Sequence, residues 1–127
     1  MMTTLLGTPW MPDLRGVILV IEDIAEPPYR VDRLLFHLRN SGVLNNLAAL
    51  VVGDFGWGGE EEQTNNDLLN QSLLDATSGT SYPIITGFPY GHGATRMTLP
   101  VGSPMRLSIS RDQFALSYAI SPFDPEI

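Results

Sequence analysis

Two ionisable residues follow apolar runs of the sequence. One is a glutamate, which supplies a carboxylate, and the other is a histidine, which can act as a base. Glu22 comes directly after the branched apolar run 17–21, and His92 lies between Gly91 and Gly93 in a loop that follows the run 83–86. A carboxylate beside an imidazole holds one tautomer and stabilises the imidazolium, while the other ring nitrogen takes a proton. The two residues therefore predict a general base, His92, oriented by Glu22.

A base of this kind needs a nucleophile, and the sequence offers none in the expected context. The chain has no cysteine. No serine follows a strand in the G-x-S-x-G turn that exposes a nucleophile. We therefore expect the catalytic constellation to be incomplete within these 127 residues.

Each of these residues also has a structural interpretation. Glu22 could stabilise the start of the following helix, whose N-terminus favours negative charge, although Asp23 and Glu26 are closer to that start. His92 could be a structural histidine in a tight turn, where the flanking glycines allow close packing. His37, the second histidine, falls within a predicted helix, and we expect it to be a surface or packing residue.

Metal and phosphate sites fit the sequence less well. Glu22, Asp54 and His92 could form a facial metal triad, but no H-x-x-x-H or H-x-E spacing supports one. The glycine-rich segment 53–59 lacks the Lys-Ser/Thr of a phosphate loop and includes an acid. We expect no metal and no cofactor, and we expect this segment to be mobile or to wrap a ligand or partner.

The pattern of the chain predicts an α/β fold that would bring these loops together. The runs 17–21 and 48–52 are continuous and apolar, as in strands buried on both faces of a parallel sheet. Between them, Pro27 and Pro28 open a helix with an apolar stripe, which ends at Ser41-Gly42. Ligands bind at the carboxyl ends of such strands, which is where Glu22 falls.

The later part of the sequence predicts one more helix and one more parallel strand, and then a group of antiparallel strands. Residues 65–67 can cap a second helix that buries Leu69, Leu73 and Ala76, and the run 83–86 forms a third strand. Three short strands, 97–100, 105–110 and 114–119, predict an antiparallel C-terminal appendage. Residues 1–16 are expected to form an extended arm packed by Trp10, and the tail 121–125 to fray.

Length and charge bound the class of protein. We expect one domain over residues 1–127. The net charge of −7 disfavours nucleic acid and an anionic membrane surface as partners. No apolar run approaches the roughly 20 residues that span a bilayer, and with no signal peptide in evidence a cytoplasmic location is the default expectation.

Three ordered motifs resemble one known family. They are Leu6-Gly-Thr-Pro-Trp-Met-Pro12, Ile21-Glu-Asp-Ile24 running into Glu26-Pro-Pro-Tyr-Arg-Val-Asp-Arg33, and Gly87-Phe-Pro-Tyr-Gly-His92 with Leu99-Pro-Val-Gly102. Together they resemble the C-terminal half of LD-carboxypeptidases, the muramoyltetrapeptide carboxypeptidases. The resemblance covers nearly the whole chain.

The resemblance implies a serine peptidase with a Ser-Glu-His triad, in which Glu22 and His92 come from this half. The serine and the oxyanion hole would lie in an N-terminal α/β nucleophile domain that this chain lacks, so the chain alone is expected to be inactive. The resemblance also implies a mixed-sheet, swivelling β/β/α-type domain, a homodimer, and release of the terminal D-alanine from murein tetrapeptide in the cytoplasm during cell-wall recycling. A microcin-type immunity peptidase of the same family is an alternative.

A different class of function also fits the sequence. The segment 53–59 and the crevice beside Glu22 could serve a non-catalytic module that binds a small ligand. Tyr29, Arg30 and Phe55 fall near the predicted crevice in either case, and they are the candidate substrate contacts. An upstream domain with a nucleophile elbow in the same gene would favour the peptidase.

Overall fold

The computed structural model describes residues 2–111 and 113–118. The chain divides into a unit that ends at Met97 and a unit that begins at Thr98. The first contains β1 (Ile18–Ile21), α1 (Pro28–Asn40), β2 (Ala49–Val52), α2 (Glu62–Ala76) and β3 (Ile84–Ile85). This order confirms the predicted α/β class with a parallel βαβ core, while a single domain over 1–127 stays a prediction.

The three strands of the first unit form one parallel sheet in the order β1-β2-β3. Val20 lies opposite Val51, and Leu50 lies opposite Ile84. Each strand is followed by a loop, and in a parallel sheet these loops leave from the same edge. The loops that contain Glu22, Asp54 and His92 therefore start side by side.

The core lies between the sheet and the two helices, which contact each other. The stripe predicted for α1 was Val31, Leu34, Leu35 and Leu38; all are buried except Leu34, which is half-buried. The predicted residues of α2 are also buried. All four residues of β2 are buried, as a central strand requires. The burial of β2 and of the apolar stripes of α1 and α2 thus follows the pattern of the sequence.

The sequence predicts that β1 is buried on both faces, and this prediction is wrong. Leu19 is buried, but Ile18, Val20 and Ile21 are only half-buried. β1 is an edge strand among the described residues, so only one side of it is paired. The apolar run alone could not distinguish an edge position from a central one.

Two other local predictions differ from the structure. The second helix begins at Glu62 instead of at 65–67, because an acidic residue in its first turn suits the helix N-terminus. Residues 97–100 form no strand, and Pro100, which has no N–H to donate, starts a turn instead.

The N-terminal arm 1–16 also differs from the prediction. It opens with a 3-10 helix, Met2–Leu5, instead of an extended segment. Trp10 is 79% exposed, so it does not pack the arm against the rest of the chain.

The second unit contains the predicted antiparallel pair, β4 (Met105–Ser110) and β5 (Gln113–Tyr118). Its cross-strand pairs alternate: Leu107 lies opposite Leu116, and the next pair, Ser108 and Ala115, points to the other face. The hairpin and its register therefore follow the period-two pattern of the sequence. Ala119, the predicted end of the last strand, and the tail 121–125 lie outside the described residues.

The core packing predicts a clear difference between two adjacent leucines of α2. Leu73 is 2% exposed and Leu74 is 63% exposed. We expect Leu73→Ala to lower the free energy of unfolding by about 2 to 5 kcal/mol, since it leaves a cavity. Leu74→Ala should change it by less than about 0.5 kcal/mol. Urea unfolding of the two variants measures both values, and equal losses would contradict the assigned core.

Candidate active site

Glu22 is the first residue after β1. The main chain at this point is tied to the neighbouring strand, because the N–H of Gly53 donates a hydrogen bond to the carbonyl oxygen of Ile21 at 2.8 Å. Gly53 also follows its own strand directly. Glu22 therefore leaves the sheet at the carboxyl edge, where the sequence placed it.

His92 reaches the same edge because the loop after β3 continues to pair with the chain after β2. The N–H of Phe88 donates to the carbonyl of Val52 at 3.1 Å, and the N–H of Asp54 donates to the carbonyl of Tyr90 at 2.7 Å. Asp54 and Gly91 form an isolated parallel bridge. These bonds extend the sheet beyond its regular strands and lead the loop back towards β1.

The two predicted residues lie together. His92 Nε2 is 3.2 Å from Glu22 Oε2, and the side chains are 40% and 32% exposed respectively. Oε2 is shielded from solvent, and it has no hydrogen-bond partner among the described residues. The carboxylate thus has unused acceptor capacity beside an imidazole side chain that is 40% exposed.

Glycine is what allows these loops to approach so closely. Gly91 has φ +114°, and a Cβ on it would lie 2.5 Å from the carbonyl oxygen of Asp54 and 3.3 Å from Glu22 Oε2. A Cβ on Gly53 would overlap the carbonyl of Tyr90. Both positions exclude any side chain, since real Cβ atoms do not approach other atoms so closely.

The glycine-rich segment 53–59 is tied to the loop that follows β1. The N–H of Ala25 donates to the carbonyl of Phe55 at 2.7 Å, and Trp57 Nε1 donates to the carbonyl of Glu26 at 2.9 Å. The rings of Phe55 and Trp57 stack with their centroids 5.2 Å apart. The segment therefore joins the Glu22 loop to the sheet edge.

The three candidate substrate contacts lie in different surroundings. Tyr29 is 62% exposed in the first turn of α1, with the Arg33 guanidinium 5.7 Å above its ring. Arg30 forms an ion pair with Glu26 at 3.2 Å. Phe55 is 5% exposed and lies in the core cluster, so only a small part of it faces the surface. Their contact with a substrate stays a prediction.

A cleft of about 590 Å³ opens beside the Glu22–His92 pair. Its walls come from the loops after β2 and β3 and from one face of α2, with Phe55, Leu69 and Phe88 as apolar lining. Glu22 and His92 do not line it, but Gly53 and Asp54 do, and they are adjacent to the pair. The cleft therefore adjoins the pair without containing it.

Two further observations concern other kinds of site. Among the described residues, no three histidine or acidic side chains are grouped as a metal site would require. Within the same residues, neither helix is long and apolar enough to cross a bilayer.

The sequence did not predict that Asp54 pairs with the loop that contains His92. The sequence suggested this residue only as a metal ligand, whereas the structure places its main chain between the Glu22 and His92 loops. The signal in the sequence was its position: Asp54 follows β2 after one glycine and so lies at the same sheet edge as Glu22.

Comparison with known proteins decides the family. The model of the LD-carboxypeptidase C-terminal domain matches residues 1–107. The chain belongs to the LD-carboxypeptidase family. This LD-carboxypeptidase domain is 31% identical to the probable murein peptide carboxypeptidase of Bacillus subtilis, over 95% of the chain and 38% of the relative.

Solved structures agree with that assignment. The muramoyltetrapeptide carboxypeptidase from Oxalobacter formigenes matches with 40% identity and a TM-score of 0.76, over 91% of this LD-carboxypeptidase domain and 41% of that chain. The microcin C7 self-immunity protein MccF, found in Escherichia coli and solved with aspartyl sulfamoyl adenosine, matches with 31% identity and a TM-score of 0.61, over 80% and 30%. The domain spans about a third of the length of the curated relatives it matches.

Proposed function

We propose that the chain is the C-terminal domain of a serine LD-carboxypeptidase, and that it supplies His92 as general base and Glu22 as its orienting carboxylate. A partner domain, N-terminal in the same enzyme, would supply the serine and the oxyanion hole. The observation that supports this most directly is the 3.2 Å separation of His92 Nε2 and Glu22 Oε2 at the carboxyl edge of the sheet. The lack of a nucleophile elbow in the sequence is consistent with it.

The geometry suits the two proton transfers of acyl transfer. With Nε2 facing Glu22, Nδ1 of His92 is left to accept the proton of the attacking serine hydroxyl. The same imidazolium then donates that proton to the departing amine of the terminal residue, and water attacks the acyl-enzyme by the reverse sequence. Glu22 stays ionised throughout and favours the imidazolium by its charge.

We propose murein tetrapeptide as the substrate, with its terminal D-alanine as the leaving residue. The higher identity and TM-score to the O. formigenes muramoyltetrapeptide carboxypeptidase favour this over a microcin-type substrate. On the family resemblance alone, we further propose that the enzyme acts in the cytoplasm as a homodimer. A nucleotide-peptide conjugate is the second candidate substrate, favoured by the match to MccF.

A chimera tests the proposal. The 127-residue chain replaces the region that it matches in the O. formigenes enzyme, and release of D-alanine from murein tetrapeptide is measured. We expect release by the chimera, none by the chain alone, and none by the chimera with His92→Asn. A folded chimera that binds the peptide but releases nothing would favour the non-catalytic binding module instead.

A further inference from the structure

Asp54 is held by its main chain between the two loops of the proposed active site. Its N–H donates to the carbonyl of Tyr90 at 2.7 Å, and its own carbonyl lies 3.5 Å from the N–H of His92. Any residue other than proline could form these bonds, because they use only the backbone. They fix where Asp54 sits, on the strand-like extension beside Gly91.

The carboxylate of Asp54 makes two further contacts that backbone pairing does not explain. Oδ1 accepts a hydrogen bond from the N–H of Gly56 at 2.7 Å. On its other side, the carboxylate fills the space that a side chain at Gly93 would need. The Asp54 side chain thus contacts both Gly93, which follows His92 in the chain, and Gly56.

Gly56 in turn lies against the base of the histidine side chain. A Cβ on Gly56 would be only 3.3 Å from His92 Cβ and 3.8 Å from Ile24 Cγ1. Gly56 has φ +68°, a conformation that favours glycine, and the hydrogen bond to Oδ1 is suited to holding it. The carboxylate therefore constrains the main chain on two sides of His92, at Gly56 and at Gly93.

From these contacts we infer that Asp54 is a positioning residue, whose carboxylate holds the imidazole of His92 against Glu22. The inference rests on the proposed function, since it assigns Asp54 a role in the same pair. Asp54 touches neither the imidazole nor a substrate in this role. It acts through Gly56 and Gly93, and its hydrogen-bond acceptor matters more than its charge.

The tautomer of His92 in the 127-residue chain is a direct readout of this role. A nitrogen that faces a carboxylate keeps its proton, so the neutral imidazole should be predominantly the Nε2–H form. Long-range ¹⁵N–¹H correlation at alkaline pH, where histidine is neutral, distinguishes this form from a mixture. His37, the other histidine of the chain, is exposed on α1 and serves as the internal reference.

Four variants separate the hydrogen bond from charge and from folding. Asp54→Ala should convert the His92 signal into a mixture of tautomers, whereas Asp54→Asn, which keeps an oxygen for the Gly56 N–H, should preserve it. Asp54→Leu keeps the branched shape without an acceptor, and it replaces Asp54→Ala if that variant does not fold. Asp67→Ala is the matched control, since it removes one carboxylate and one hydrogen bond, to Gln63, from α2.

In the chimera, Asp54→Ala should lower kcat about 10- to 100-fold with KM within about twofold, the size expected when a base is displaced slightly. Asp54→Asn should stay within about threefold of the unsubstituted chimera. A wild-type tautomer spectrum in Asp54→Ala, or equal damage by Asp54→Asn, would overturn the inference. If the unsubstituted chain shows no tautomer preference and Glu22→Gln changes nothing, the pair itself is refuted, which is a failure of the proposed function.

Discussion

Replacing Glu22 with glutamine is expected to lower kcat of the chimera by about 10³- to 10⁴-fold while leaving KM within about twofold. The amide is close in size to the carboxylate, so the contacts with Gly53 and Gly91 should persist. It no longer stabilises the imidazolium, and its NH₂ can turn towards Nε2 and favour the wrong tautomer. The loss therefore falls on the chemical step, with substrate binding retained.

The control for this variant is Glu60→Gln, which removes one negative charge from an exposed residue just before α2. It should leave kcat within about twofold, because an exposed charge is screened by solvent and salt. Far-ultraviolet circular dichroism and urea unfolding check that Glu22→Gln is folded. A folded Glu22→Gln chimera with kcat within about threefold of the unsubstituted one would refute the assignment of Glu22.

The sequence predicted the parts of the fold whose signals are local. The apolar stripe of α1 and its cap at Ser41-Gly42 depend on spacing within one helix; the cap is confirmed, and of the stripe only Leu34 is not fully buried. The hairpin of β4 and β5 depends on a short link and a period of two. Such signals are complete within a dozen residues, so they can be read without knowing the rest of the chain.

Two of the failures depend on neighbours distant in sequence. Val20 has the sequence of a buried strand residue, but its exposure depends on whether another strand pairs with that side of β1. Trp10 is apolar and large, yet its burial depends on a surface to receive it. The apolar pattern of the sequence indicates which residues favour burial, but whether Val20 and Trp10 are buried depends on what packs against them.

The Glu22–His92 pairing was predicted because parallel strands bring loops that are distant in sequence to one edge. The function of the glycines between them could not be predicted in the same way. The glycines beside His92 were expected to allow close packing, but only the structure shows that Gly53 and Gly91 are each crowded by a carbonyl of the other loop. The close approach of two loops is a property of their register, which here is set by the bridge between Asp54 and Gly91.

Replacing Gly91 with alanine is the second substitution for which we expect a large effect. The new Cβ would lie 2.5 Å from the carbonyl oxygen of Asp54, so the His92 loop must move away from the strand extension. The backbone at φ +114° adds about 1 to 3 kcal/mol of strain for a residue with a side chain. We expect the free energy of unfolding to fall by at least that amount, and kcat of the chimera to fall by about 100-fold or more.

Gly87→Ala separates strain from crowding, since Gly87 lies in the same loop at φ +70° and, its chain neighbours apart, no residue comes within 4 Å of the place that a methyl group would take. It should lose about 1 kcal/mol of stability from backbone conformation alone, with kcat nearly unchanged. Because Gly91 alone of the two faces Asp54 and Glu22, only Gly91→Ala should also turn the His92 tautomer signal into a mixture. Equal effects of the two substitutions on kcat would mean that loop strain, and not the approach of the histidine loop to Glu22, controls the reaction.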